Sequence, residues 1–137
     1  MKKYVLDTCA LVAFFNDEKG ADTVEELLRD ATNGTCAVII NKYNLLETYY
    51  GYLRANGEDF AENIFKTVEA SCIEVSDVLT NEIFRQAGQF KVAFKISLAD
   101  AVALAQAKVD DAVIVTSDHH ELDAVESGTN IKFQWIR

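Results

Sequence analysis

Five short runs rich in Val and Ile alternate with stretches of helical periodicity, and this alternation limits the folds open to the chain. The runs span residues 3–6, 36–40, 72–75, 112–116 and 131–135. The central ones are apolar at successive positions, which fits strands covered on both faces. Helical patterns lie between them at 9–16, 22–32, 42–56, 58–70, 77–94, 97–108 and 119–127. Asn41, Asp77 and Ser97 each precede a helical pattern and suit an N-cap, while Gly34 and Gly57 stand where helices should end. Strands joined through helices run parallel, with right-handed crossovers. The expected fold is therefore α/β, a three-layer α/β/α sandwich around a mostly parallel five-stranded sheet. The chain has 137 residues and no proline, linker, repeat or low-complexity tract, so residues 1–137 are expected to form a single domain.

Composition narrows the setting. No unbroken apolar stretch reaches about eighteen residues, so no membrane span is expected. Met1-Lys2-Lys3 runs straight into the first strand, which a cleaved signal peptide would remove, so none is expected. Cys9, Cys36 and Cys72 are odd in number, far apart and set in apolar surroundings, which predicts reduced, buried thiols in a cytoplasmic protein. The formal charge of −9 argues against a broad basic face that holds nucleic acid nonspecifically. It leaves room for a nucleic-acid enzyme whose own carboxylates hold a cation, because the cation can meet phosphate directly.

Four acids stand where the apolar segments stop. Asp7 ends Tyr4-Val5-Leu6, and Asp118 follows Ala112-Val113-Ile114-Val115-Thr116-Ser117. Asp100 is the only charge between Leu98 and Ala105, and Glu47 lies in the helical stretch after Cys36-Ala37-Val38-Ile39-Ile40. Each also has a plain structural reading. Asp7 and Asp118 suit N-caps, with Glu121 completing a capping box to Asp118; Asp100 sits three residues after Ser97 in another such box. Glu47 reads as a solvated acid at the margin of a stripe of Leu46, Tyr49, Tyr50 and Leu53, which the spacing predicts to be buried. A carboxylate in apolar surroundings nevertheless carries a desolvation cost unless something compensates it. Several converging on one spot would suit a hard divalent cation. The fold rule agrees: in open α/β sheets the working site lies beyond the carboxyl ends of the strands, where Asp7 and Asp118 fall. His119 and His120 are adjacent, a poor spacing for chelation from one helix, and read as surface or substrate contacts.

Asp7-Thr8, Glu47, Ser97-Leu98-Ala99-Asp100-Ala101 and Thr116-Ser117-Asp118, in that order, resemble the motifs of the PIN-domain ribonucleases, close to the VapC-type toxins. The resemblance runs from Val5-Leu6-Asp7-Thr8 to Phe133-Gln134-Trp135-Ile136. It implies a PIN-like nuclease domain in which Asp7, Glu47, Asp100 and Asp118 bind Mg²⁺ or Mn²⁺, with Thr116 as an accessory hydroxyl. The implied activity is endonucleolytic hydrolysis of single-stranded or loop RNA by metal-activated water, as the toxin of a toxin–antitoxin pair, with an antitoxin protein as partner. It also implies a homodimer, for which Tyr49, Tyr50, Tyr52, Phe60, Ile64 and Phe65 in the 22–70 region offer surface. After Asp118 the chain departs from the usual acid-then-aromatic ending, with His119-His120-Glu121 instead, which leaves Glu121 as a further candidate ligand.

No Ser-His-Asp or Cys-His constellation is evident, so water rather than a side chain is the expected nucleophile. Among rivals, a phosphoacceptor domain would need adjacent acids after the first strand and a lysine after the last. A phosphatase of the Asp-x-Asp-x-Thr kind would need an acid where Cys9 stands. A catalytically inactive PIN-like binding module would keep the fold, but this chain retains all four acids.

Overall fold

The computed structural model describes residues 1–77 and 79–137. Five strands, β1 (Lys2–Leu6), β2 (Cys36–Asn41), β3 (Glu74–Ser76), β4 (Val113–Thr116) and β5 (Phe133–Trp135), form one sheet in the order β3-β2-β1-β4-β5. All four neighbouring pairs are parallel. The helices are α1 (Thr8–Phe15), α2 (Ala21–Thr32), α3 (Lys42–Asn56), α4 (Glu58–Ala70), α5 (Asn81–Ala93), α6 (Leu98–Val109) and α7 (His119–Gly128). The expected three-layer sandwich is the fold observed.

Alternation within the central strands divides the core in two. Val5, Ile39 and Ile114 pack with α5, α6 and α7 through Ile83, Phe90, Leu104 and Leu122. Leu6, Val38, Ile40 and Val115 face the other way, against Leu11, Val24, Leu45 and Val68 of α1 to α4. The strands are apolar throughout because each must satisfy both layers. The chain builds outward from β1 through β2 to β3, then returns to lay β4 and β5 on the other side. The strand order therefore switches between β1 and β4, which opens a crevice at their carboxyl ends.

Local signals place most helix ends. Asn41 caps α3, its side chain accepting from the Tyr43 N–H at 2.8 Å, and Ser97 caps α6. Gly57 ends α3 and starts α4 with φ +91, a conformation that favours glycine. Three expectations are corrected. The helix expected at 77–94 begins at Asn81, capped by Thr80, while Asp77 pairs with Lys42 at 3.2 Å; Val78 lies outside the described residues.

The second correction concerns the face of α3. Leu46, Tyr50 and Leu53 are exposed and Tyr49 is half-buried, whereas Asn44, Leu45, Thr48 and Tyr52 are buried. The reason is that α3 packs against α6, whose facing turns carry small residues such as Ala99. Close approach to such a helix selects short polar side chains that can reach its backbone. The third concerns the aromatic surplus of 22–70. Tyr52 and Ile64 are buried, and Tyr49 packs edge-on against Phe65, so much of that surface is used inside the chain. The exposed apolar surface instead continues from α3 beyond residue 70, to Leu79, Phe84, Val92 and Leu98.

Candidate metal centre

Asp7 sits at the switch point. Its N–H donates to the Val115 carbonyl at 3.2 Å, extending the β1–β4 ladder by one step. Its side chain then caps α1, Oδ1 accepting from the Ala10 N–H at 2.8 Å. The capping reading is thus correct, but it accounts for one oxygen only. Oδ2 is inaccessible and has no hydrogen-bond partner. Burial, partly offset by the Thr116 hydroxyl and the Ala10 amide, raises the Asp7 pKa to about 7, and the charges of Asp118 and Glu47 push the same way.

Asp100 and Glu121 form a crossed arrangement. The Asp100 N–H donates to Ser97 Oγ at 3.1 Å, the first half of a capping box. In the usual box the third residue's carboxylate would return to the Ser97 N–H. Here Glu121, from α7, takes that role, its Oε1 accepting from the Ser97 N–H at 3.0 Å. The Asp100 carboxyl is thereby released from capping and turned into the pocket, where its Oδ2 is buried without a partner. Burial first, then its bond with Glu121, raises the Asp100 pKa to about 9; that same bond lowers the pKa of Glu121. The two carboxyls titrate as a coupled pair.

Asp118 caps α7, accepting from the Glu121 N–H at 3.2 Å, and its own N–H donates to Thr116 Oγ1 at 3.0 Å. Thr116 is fully buried between Asp7 and Asp118. Asp100, Asp118 and Glu121 each offer an oxygen within 4.8 Å of the others. Glu47, half-buried on α3, and Asp7 stand outside that triad but within electrostatic reach. Burial first, then the charges of Asp7, Asp118, Asp100 and Glu47, push the Cys9 thiol up. The pocket is all oxygen donors, with two orphaned buried oxygens and two acids whose ionisation burial opposes. A bound cation would relieve each of these costs, so the residues fit a metal site.

His119 belongs elsewhere. Its ring stacks on Trp135 with centroids 3.8 Å apart, Nδ1 meets Asp123 at 2.7 Å and Nε2 meets the Arg137 carbonyl at 2.7 Å. Both nitrogens are engaged, which leaves none for a metal; His120 is exposed. The sequence reading understated Glu121. Its signal was the pair of patterns Ser97-x-x-Asp100 and Asp118-x-x-Glu121, the second of which ends on the acid that reaches across to the Ser97 N–H.

A family model described as PIN domain matches residues 4–127. The fold superposes on the DNA-bound VapBC of Salmonella typhimurium with a TM-score of 0.75, 17% identity and 100% of both chains covered. It superposes on a toxin–antitoxin complex from Klebsiella pneumoniae with a TM-score of 0.69 and 14% identity, covering 98% of each chain. Mycobacterium tuberculosis VapC20, a sarcin-ricin loop cleaving toxin, gives a TM-score of 0.66 and 17% identity over 91% of this chain and 95% of that one. At such identities the likeness shows the fold. No curated protein sequence matches the chain.

Proposed function

The chain belongs to the PIN-domain family, and from that premise we propose that it is a Mg²⁺- or Mn²⁺-dependent endoribonuclease cutting single-stranded or loop RNA. The observation that carries the reading is the pair of buried carboxylate oxygens without partners, Asp7 Oδ2 and Asp100 Oδ2, at the sheet's switch point. Asp7, Glu47, Asp100 and Asp118 would hold the cation, Thr116 would orient Asp7 and Asp118, and Glu121 would close the pocket. When bound, the cation supplies an acidified water as nucleophile and neutralises charge on phosphate. The carboxylates would hold the cation at the carboxyl ends of β1 and β4 and exclude competing anions. Unstacked bases of single-stranded RNA can splay to bring one phosphate into so narrow an acidic crevice. The loop-cleaving activity of VapC20 favours the same substrate class.

Residues 1–137 act as one nuclease domain in this reading, and the Klebsiella complex favours a toxin role with an antitoxin partner. The three cysteines are unpaired, and among the described residues no helix is long and apolar enough to cross a membrane, which favours a cytoplasmic setting. Purified protein should cut single-stranded RNA with Mg²⁺ or Mn²⁺ and stop with EDTA. Undiminished cleavage after exhaustive chelation rejects the proposal.

The assembly is a homodimer in which a second copy covers the apolar cleft of about 1200 Å³ between α3, α5 and α6. Tyr43, Leu46, Leu79, Phe84, Val92 and Leu98 line it, and none of the four proposed ligands does. A contiguous apolar face of this kind suits an interaction site. Light scattering at micromolar concentration should return twice the chain mass; a monomer there rejects the dimer.

A further inference from the structure

Asn44 is a polar side chain that neither the fold nor the acidic pocket accounts for by itself. It is fully buried in a helix, between Tyr43 and Leu45. Its Nδ2 donates to the Ala99 carbonyl at 3.0 Å, a buried bond from α3 to the first turn of α6. The backbone carbonyl at the same position accepts from the Thr8 hydroxyl of α1 at 3.4 Å and from the Thr48 hydroxyl at 3.0 Å, bonds that do not depend on the side chain. Its Oδ1 has no partner at all.

Each of these contacts lands beside an acid. Thr8 follows Asp7, Ala99 precedes Asp100, and Asn44 lies three residues, about one helical turn, before Glu47. A second polar bridge supports the same helix pair farther along, where Asn41 Nδ2 donates to Gln106 Oε1 at 2.9 Å and Gln106 Nε2 donates to Asp110 at 2.6 Å. Stability alone does not explain Asn44. A buried amide with one oxygen unpaired is costly, and an apolar side chain of nearly the same volume would avoid that cost. What leucine could not do is fix the distance and rotation of α3 against α6.

We propose that Asn44 is a positioning residue of the acidic pocket, its side chain tying the α3 turn that carries Glu47 to the α6 turn that carries Asp100. It touches no substrate. It acts by fixing the distance and rotation of α3 against α6, and with them the placement of Glu47 relative to Asp100. Outer residues that orient ligands in this way tune metal affinity far more than they tune folding.

The inference rests on the metal-dependent reading above, so its test measures metal binding directly. Asn44→Leu and Asn44→Ala are compared with wild type by calorimetric titration of Mn²⁺ well below the melting temperature, with circular dichroism and thermal melting in EDTA as controls. The expected result is a folded Asn44→Leu protein that melts no lower than wild type in EDTA yet binds Mn²⁺ about tenfold more weakly or worse. Its cleavage of RNA should return when Mn²⁺ is raised, which a merely damaged fold would not allow. Asn44→Ala should lose the same affinity while melting lower, since it leaves a cavity. Mn²⁺ affinity within about twofold of wild type in either folded variant overturns the clamp and leaves the metal site standing. Failure of both variants to fold overturns it too, by making Asn44 a stability element. Failure of wild type to bind Mn²⁺ removes the metal reading itself, and the clamp with it.

Discussion

Asp7→Asn is expected to abolish RNA cleavage and to raise the melting temperature of the metal-free protein. The amide keeps the shape of the carboxylate and can still accept the Ala10 N–H as a cap. It removes a charge that burial and the neighbouring acids oppose. It also removes the buried carboxylate oxygen that has no partner. The expected gain is roughly 1 kcal/mol or more at neutral pH, a rare sign for a substitution at a fully buried position. Added Mn²⁺ should stabilise wild type strongly and the variant weakly, because a ligand bound only by the native state stabilises according to its affinity. Thermal melting of both proteins in EDTA and in millimolar Mn²⁺ checks each part. A variant that melts below wild type in EDTA and gains as much from Mn²⁺ would make Asp7 a structural cap.

The second large effect is the pH dependence of the metal-free protein. Asp7 and Asp100 have folded-state pKa values of about 7 and about 9, against 3.8 for an unperturbed Asp. A raised carboxyl pKa means that the folded state holds protons which the unfolded state has released. The associated stability is complete below about pH 4 and is lost as pH climbs through about 7 and then 9. Glu121 runs the other way, its depressed pKa costing stability only as pH falls through the acid range. The melting temperature in EDTA should therefore fall between pH 5 and 9. Asp7, raised from 3.8 to about 7, contributes about 4 kcal/mol at most, part of it lost below pH 5, and a fall on the order of 10 °C across the window follows with Asp100. The exposed His119–Asp123 pair weakens over part of this range but is screened by solvent. Asp7→Asn separates the sources, since its profile should be shallower than wild type. Saturating Mn²⁺ should flatten or invert the wild-type profile. A melting temperature that stays level or rises with pH in EDTA contradicts the assignment.

The parts of this molecule that sequence reveals are those set by neighbours along the chain. Uniformly apolar strands, N-caps at Asn41 and Ser97, and acids at strand ends all follow from local rules, and they locate the sheet, the helices and the switch point. The errors arise where a distant element decides. Periodicity correctly made 42–56 a helix but turned it the wrong way, because the face it buries was chosen by the small residues of α6. The residue pattern of α3 alone favours burying Leu46 and Tyr50; the shape of its partner favours Asn44 and Thr48. Glu121 was similarly hidden. Each capping pattern looks complete within its own helix, and only the packing of α6 beside α7 reveals that Glu121 caps the wrong one and frees Asp100.

The strand order also sets a timetable for biosynthesis. β1 is made first yet sits at the centre of the sheet, with one of its edges paired to β4 more than a hundred residues later, Leu6 opposite Val115. Until β4 emerges, that edge of β1 has no partner, Asp7 lacks the Val115 carbonyl that fixes its backbone, and Thr116, Asp118 and Glu121 do not yet exist. Contacts this distant in sequence form late, after the cost of closing a long loop has been met. A nascent chain on the ribosome, surrounded by RNA, therefore carries no assembled acidic pocket until β4 and α7 have both been made.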